Sequence, residues 1–375
     1  MAVLAVGMWA NLRRTAMKRA IPIAVILMGL MLGVAGPVMA QKLKIVQMID
    51  DLANWKRAGQ AAMPFLRLGA GARSMGMADA ALGLRGDPAT LFYNPAGLAY
   101  VNGRSVMVSN MDWLIDTQIM AAAAAVNLGS LGVLGASFMY YDYGDPIPAT
   151  EIDAGKLGGY GDIGTIEPSQ YMVGLAYARQ ISDRFAIGGQ VKIAHEDLLG
   201  GTGVKTRIAY QLPGGGWKQD AHDAKRTVFA LDFGTSYDTG FRGLILAFAF
   251  RNFGQEVKYE RESYDLPLSI QFGVSAELFR LLNMEMNGQK VLITGDYLHP
   301  RDWSERAQVG MEYAFRDLFF VRAGYKFNYS SEGLCAGMGV KVPLGFGDAR
   351  IDYAYKHTSD TLFDAVHVYS LNISF

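Results

Sequence analysis

Residues 319–329 read FFVRAGYKFNY, and the side chains of this stretch change character at every second position. Phe319, Val321 and Tyr325 fall on one face of an extended chain, whereas Arg322 and Lys326 fall on the other. This period of two predicts a β-strand with one apolar face and one small or charged face. The stretch is about ten residues long, whereas strands in soluble proteins average ~5–6 residues. Its length and pattern are typical of a barrel wall with lipid on one side.

The same alternation recurs from Arg104 to the C-terminus, most clearly in residues 185–194, 306–315 and 367–375. Fourteen strands are predicted, and they begin near residues 104, 117, 131, 169, 184, 226, 243, 267, 290, 305, 318, 334, 348 and 365. In lipid every backbone N–H and C=O must be paired internally, so a spanning sheet has to close on itself. We therefore predict an all-β fold, a transmembrane outer-membrane β-barrel of about fourteen antiparallel strands over residues 104–375.

The predicted connections alternate in length, as they do in bacterial outer-membrane barrels with short periplasmic turns and long outer loops. Gly129-Ser130 and Arg316-Asp317 are short, whereas residues 144–168 and 198–225 are long. The link at residues 279–289 is longer than its periplasmic placement predicts. Tyrosines at or near strand ends are predicted to form the aromatic girdles at the membrane surfaces: Tyr140, Tyr141, Tyr143, Tyr297, Tyr313 and Tyr353.

The first forty residues have the pattern of a secretory signal peptide. Lys18 and Arg19 precede an apolar stretch at residues 20–35, and small residues lead to a cleavage site after Ala40. The alternative is that this segment is retained as an N-terminal anchor helix. Met17 is a more natural initiator methionine than Met1, so a start-codon misassignment that added residues 1–16 is left open. Residues 1–40 hold four basic residues and no acid, which leaves 31 basic and 35 acidic residues, a net charge of −4, in the mature chain. The protein is therefore predicted to be exported to the outer membrane of a Gram-negative-type cell.

Two segments precede the barrel. Residues 41–64 are predicted to contain a short amphipathic helix at 45–57, which is either a periplasmic arm that docks a partner or an extra part of the plug. Residues 65–103 are predicted to form an N-terminal plug of short helices and turns in the barrel lumen. Asp87-Pro88 and Asn94-Pro95 each place a capping residue before a proline at the first helical position.

Charge and motif content exclude several classes of function. The chain has 35 basic and 35 acidic residues, so it lacks the basic excess of a nucleic-acid-binding protein. Its only cysteine, Cys335, excludes a disulfide framework, and its five histidines show no ligand spacing. A dinucleotide-type loop ends in Ser74 where its third glycine belongs, and a phosphate-type loop has Met77 in place of its lysine. We predict no enzymatic activity, no metal and no cofactor.

Charged residues also occur on the small-residue face of the strands. They either line an open pore or pair with one another inside a filled lumen. These residues are Lys192, Asp232, Arg251, Glu312, Arg322, Lys326 and Asp352.

Two stretches of the plug segment carry a family resemblance. Residues 65–80 read FLRLGAGARSMGMADA and residues 87–98 read DPATLFYNPAGL. They resemble the N-terminal signature of the PorV/PorQ family, which is related to the FadL-type outer-membrane transporters of hydrophobic compounds. The resemblance implies a fourteen-stranded barrel with an N-terminal plug. Asn94, Pro95, Ala96 and Gly97 match the plug motif of the family, with a packing role rather than a catalytic one.

The resemblance also implies two functions. The first is protein secretion, because PorV-like barrels act in type IX secretion, with secreted cargo proteins or a translocon barrel as partners. The alternative is a FadL-like channel for a hydrophobic small molecule; a structural barrel without transport is a third possibility. In the channel, the apolar side chains of the plug would line a ligand pocket, although they would pack an inert plug equally well. They are Phe65, Leu66, Leu68, Met75, Met77, Leu91 and Phe92.

Overall fold

The computed structural model describes residues 59–152, 159–200, 206–211, 217–222, 224–259, 262–284, 286–358 and 363–375. The predicted signal peptide at 1–40 and the predicted helix at 45–57 lie outside the described residues. Within the described ranges, no helix has both the length and the apolar character needed to cross a membrane.

The described chain is dominated by twenty strands. In chain order they are β1 (Arg104–Asp112), β2 (Gln118–Asn127), β3 (Val133–Asp142), β4 (Ile147–Ile152), β5 (Tyr160–Ile166), β6 (Ser169–Ser182), β7 (Phe185–Asp197), β8 (Thr206–Gln211), β9 (Trp217–His222), β10 (Lys225–Asp238), β11 (Ile245–Gly254), β12 (Val257–Tyr259), β13 (Glu262–Tyr264), β14 (Ser269–Glu277), β15 (Gln289–Pro300), β16 (Arg306–Phe315), β17 (Phe319–Phe327), β18 (Glu332–Leu344), β19 (Gly347–Thr358) and β20 (Val366–Ser374).

Fourteen of these strands form one closed antiparallel barrel, which confirms the predicted fold class. Every barrel strand begins within two residues of its predicted start. The other six strands form the hairpins β4–β5, β8–β9 and β12–β13, which stand in the long connections and were not predicted. The barrel closes between its first and last strands, where Ser105 pairs with Ser374 and Asp112 with His367.

The two ends of the barrel differ. The outer end carries the three hairpins, and the turn end carries the β6–β7, β16–β17 and β18–β19 turns together with Arg104 and Phe375. By the general rule for outer-membrane barrels, the outer end faces the exterior and the turn end faces the periplasm. The long link of the turn end contains a short helix, α2 (Leu278–Leu281), and the β2–β3 turn contains a 3₁₀ turn, η4 (Gly129–Leu131).

The two faces of the wall separate apolar from polar side chains. In β17, Val321 is 61% exposed, whereas Arg322 of the opposite face is 2% exposed. Similar alternation runs through β6, β7 and β10. The exposed face of the wall is a belt of large apolar side chains, as a lipid-facing surface requires.

The plug consists of four short helical elements, η1 (Pro64–Arg67), α1 (Ala72–Gly76), η2 (Pro88–Phe92) and η3 (Pro95–Tyr100). Asp87 and Asn94 cap the last two, because each side chain accepts a hydrogen bond from the backbone N–H two residues later. The predicted capping roles are thus confirmed. These elements pack against the inner face of the wall: α1 on β17–β20, η2 on β1–β3 and η3 on β6, β7 and β10.

Candidate functional site

The plug runs along the lumen from the outer end to the turn end. At its start, the Gly59 N–H donates to the Asp302 carbonyl, and the Ala62 N–H donates to the Asp265 carbonyl, both in outer loops. At its finish it joins β1 at Arg104, beside the C-terminus. The described part of the plug therefore fills the lumen beneath the outer loops.

The Asn94-Pro95-Ala96-Gly97 motif docks the plug onto glycines of the wall. The buried Asn94 side chain accepts from the Ala96 N–H at 3.1 Å. Its amide group donates to the carbonyls of Leu82 at 2.9 Å and Thr235 at 3.0 Å. A Cβ on Gly188 would approach backbone atoms of Pro95 to 2.5 Å, so the strand needs a glycine there. The described contacts of the motif therefore cap η3 and pack the plug against the wall.

Ion pairs join the plug to strands β16–β19. Arg73 contacts Glu312 through two hydrogen bonds, at 2.9 and 2.7 Å, and Arg322 Nε donates to the same carboxylate at 2.6 Å. Asp87 accepts from Arg350 at 2.6 Å. The seven charged residues predicted to face the lumen all take part in ion pairs, either within the wall or with the plug, which favours the filled-lumen alternative over an open pore.

A cavity of about 370 Å³ lies between the plug and the outer part of the wall. Plug and wall both contribute apolar and aromatic side chains to its lining, among them Phe65, Leu68, Met75, Tyr93, Trp113, Tyr141, Tyr143 and Leu298. Polar and charged groups occupy the remainder, including Arg67, Asp79, Arg251, Arg306, Lys326, Glu332 and Lys356. The cavity therefore combines an apolar and aromatic wall with seven charged side chains.

Of the seven plug residues predicted to line a pocket, three do so: Phe65, Leu68 and Met75. The other four are buried in the packing of the plug against the wall: Leu66, Met77, Leu91 and Phe92. Tyr141 and Tyr143 had been predicted as girdle residues, yet they line the cavity. The alternation of β3 could have predicted the position of Tyr141, because Tyr141 lies on the same strand face as the buried Met139.

Most charges of the cavity neutralise one another. Lys326 lies 2.5 Å from Asp79 and 2.7 Å from Glu332, and Lys356 lies 3.2 Å from Glu332. The Tyr93 hydroxyl donates to Asp79 at 2.7 Å. Burial raises the pKa of Asp79, but the charges of Lys326 and Lys356 outweigh burial and hold this pKa below its ordinary value. Asp79 is therefore an ionised anchor between plug and wall.

The wall is irregular next to this cavity. Between β10 and β11 the register shifts, so Leu231 pairs with Phe253 but Phe233 pairs with Phe250. Asn252 has a φ of 59°, and its N–H donates to the Asp232 carboxylate at 2.7 Å instead of to the sheet. The shift is a β-bulge. An apolar groove of about 330 Å³ opens on the lipid face of the bulge, with Asp232 at its edge.

The fold is similar to those of two solved transporters. The Ralstonia pickettii toluene transporter TbuX shares 13% sequence identity with a TM-score of 0.52, covering 82% of this chain and 98% of that one. The Pseudomonas putida toluene transporter TodX shares 11% identity with a TM-score of 0.50, covering 81% of this chain and 96% of that one. No protein-family model matches the chain. No curated protein matches it either.

The closed wall, its apolar belt and its internal plug define a fourteen-stranded outer-membrane β-barrel. The protein is located in the outer membrane, as the sequence predicted. At these sequence identities the likeness to TbuX and TodX is one of fold. The signal peptide and the membership in the PorV/PorQ family stay predictions.

Proposed function

We propose that this protein is a FadL-like channel that takes small hydrophobic molecules into the cavity at its outer end and passes them across the outer membrane. The observation that carries the proposal is the cavity of about 370 Å³ between plug and wall. The PorV/PorQ resemblance implies this function as the alternative to secretion. Such a role needs no catalytic residue, and the proposal keeps the prediction that the protein is not an enzyme.

The cavity suits a ligand of one or two rings. Its volume lies within the roughly 300–1,000 Å³ usual for small-molecule sites. Phe65, Trp113 and Tyr141 offer ring faces and edges, which favour offset or edge-to-face contact with an aromatic ligand. The two structural neighbours are both described as toluene transporters, which supports a ligand of this kind.

We place the exit route at the bulge between β10 and β11. Arg251 lines the cavity, its Nε lies 3.9 Å from Asp232, and Asp232 borders the groove on the lipid face. The contact between Arg251 and Asp232 therefore links the lining of the cavity to the lining of the groove. A hydrophobic molecule that crosses the wall at this contact enters lipid without passing through water, which is favourable for apolar surface.

Uptake of radiolabelled ethylbenzene by cells that produce the protein tests the proposal. Filling the cavity with Leu68→Trp should lower the initial rate at least about fivefold. The matched control is Leu134→Trp, since Leu134 is an exposed residue of the lipid face of β3. The control should leave uptake unchanged at equal protein levels in the membrane. Equal uptake by all three proteins and by cells lacking the protein would contradict the proposal.

The secretion role implied by the PorV/PorQ resemblance is the second candidate. It rests on sequence resemblance, which is most specific in residues 65–80 and 87–98, and the comparisons with solved structures favour transport. Co-purification from native outer membrane in mild detergent distinguishes the two. Recovery of secreted cargo proteins or a translocon barrel would support secretion, whereas recovery of the barrel alone would leave transport as the better account.

A further inference from the structure

One basic side chain of the cavity, Arg306, has no carboxylate partner among the residues that the structure describes. Five basic side chains line the cavity: Arg67, Arg251, Arg306, Lys326 and Lys356. Four of them lie within 4.0 Å of a carboxylate. Among the residues that the structure describes, none places a carboxylate within that distance of the Arg306 guanidinium.

Arg306 is held in place by aromatic rings. It is the first residue of β16, and its guanidinium carbon lies 4.9 Å from the centre of the Trp303 ring and 4.3 Å from that of the Tyr329 ring. Contacts of this kind hold the guanidinium by its faces and leave its N–H edges available for hydrogen bonds. The rings therefore position a charged donor without neutralising it.

Three buried donor atoms in this corner have no acceptor in the described part of the chain, one of them Nε1 of Trp303. The Nε atoms of Arg306 and Arg67 are both buried without a hydrogen-bond partner in the described part of the chain. Buried donors are almost always satisfied in proteins, so each exception requires an explanation. Arg67 pairs with Oδ2 of Asp302, whose Oδ1 has no hydrogen-bond partner among the described residues. One carboxylate thus serves a site with two guanidinium groups.

The electrostatics of Arg67 agree with this geometry. Burial lowers the pKa of Arg67, Asp302 opposes the change, and the positive charge of Arg306 lowers the pKa further. The two guanidinium groups are therefore close enough to repel each other. A second anion between them would relieve the repulsion and accept the free N–H groups.

We propose that this corner binds the carboxylate of an aromatic acid, whose ring then lies against the aromatic lining of the cavity. The inference rests on the proposed function and names its ligand class, an aromatic carboxylate in preference to a neutral hydrocarbon. Arg306 is the residue that determines this preference. Trp303 is a positioning residue, because it acts on the ligand only through Arg306.

Binding of two ligands of matched shape tests the proposal. Calorimetric titration of the full-length mature protein in detergent compares 4-ethylbenzoate with its uncharged analogue 4-ethyltoluene. A charge-assisted hydrogen bond is worth about tenfold to a hundredfold in affinity. The wild-type protein should therefore bind the benzoate at least about tenfold more tightly. Arg306→Gln should abolish that preference while changing the affinity for 4-ethyltoluene less than about twofold.

Two further variants control for folding and for general charge. Arg306→Lys should retain part of the preference, since the charge remains while the planar fork is lost. Arg316→Gln removes an arginine that lies against Phe315 at the turn end, away from the cavity. This variant should retain the full preference for 4-ethylbenzoate. Equal affinity of the wild type for both ligands, or an unchanged preference in Arg306→Gln, would overturn this inference and leave the proposed function standing. Failure of both ligands to bind would overturn both.

Discussion

Arg73 of the plug and Glu312 of the barrel wall form a bidentate ion pair, with Nε and Nη2 each donating to one carboxylate oxygen. The pair joins residues that are 239 positions apart in the chain. Arg322, which is buried, donates to the same carboxylate. The Glu312 carboxylate thus accepts hydrogen bonds from one arginine of the plug and one arginine of the wall.

Glu312→Gln should destabilise the folded barrel by about 3–5 kcal/mol, because it removes a carboxylate shared by two arginines and leaves Arg322 with Asp352 and Arg73 with the more distant Asp87. Unfolding in urea, followed by the loss of heat-modifiable migration on gels, measures the effect. Asp317→Asn is the control, since its pair with Lys290 is exposed and should contribute less than about 1 kcal/mol. Equal stability of Glu312→Gln and wild type would show that the plug is held by other contacts.

Two adjacent glycines of β7 should respond in opposite ways to substitution. A Cβ on Gly188 would meet the backbone of Pro95 and Ala96, whereas a Cβ on Gly189 has no neighbour closer than 3.8 Å. Gly188→Ala should therefore destabilise by about 1–3 kcal/mol through overpacking. Gly189→Ala should be neutral or slightly stabilising. Similar unfolding midpoints for the two variants would contradict the docking of the plug against β7.

Asn94→Ala should lower stability by about 2 kcal/mol, since it removes a helix cap and the hydrogen bonds that the Asn94 amide donates to the Leu82 and Thr235 carbonyls. Asn94→Asp separates these roles because it keeps the acceptor for the Ala96 N–H but cannot donate when ionised. Urea unfolding of both variants provides the measurement. If Asn94→Ala matched wild type, the motif would not be the structural anchor described above.

The stabilising effect of Asp79 should depend on pH. Its pKa in the folded barrel lies below the ordinary value of about 3.9, so its charge stabilises the fold above pH ~4, and this contribution is lost as the pH falls through the folded-state pKa. The difference in unfolding free energy between wild type and Asp79→Asn should therefore be larger at pH 7 than at pH 3. A difference that grows on acidification would contradict the pairing with Lys326 and Lys356.

Local sequence pattern was enough to predict the wall. Strand starts follow from the period of two, and the caps at Asp87 and Asn94 follow from short-range hydrogen bonding. The strands of the three outer hairpins were missed because each has only three to seven residues, too few for the period of two to stand out. The long link at the turn end contains α2, whose four residues are too few for helical periodicity to show.

The cavity was only partly predictable, because its lining depends on which distant segments meet. Phe65, Leu68 and Met75 could be proposed from the apolar character of the plug. Arg306 could not, since its significance depends on Trp303, Tyr329 and the absence of a nearby carboxylate in the described structure. Those are properties of the folded chain, whereas a sequence shows only an arginine at a strand end.

The most direct measurement of the central claim is the location of a bound ligand. Crystals of the mature protein soaked with 4-bromotoluene give an anomalous signal from bromine that marks the ligand independently of the protein atoms. The account predicts a bromine peak inside the cavity, within contact distance of Phe65, Leu68 or Trp113, and its loss in Leu68→Trp. Bromine peaks confined to the lipid-facing belt, with an empty cavity at saturating ligand, would contradict the proposed function.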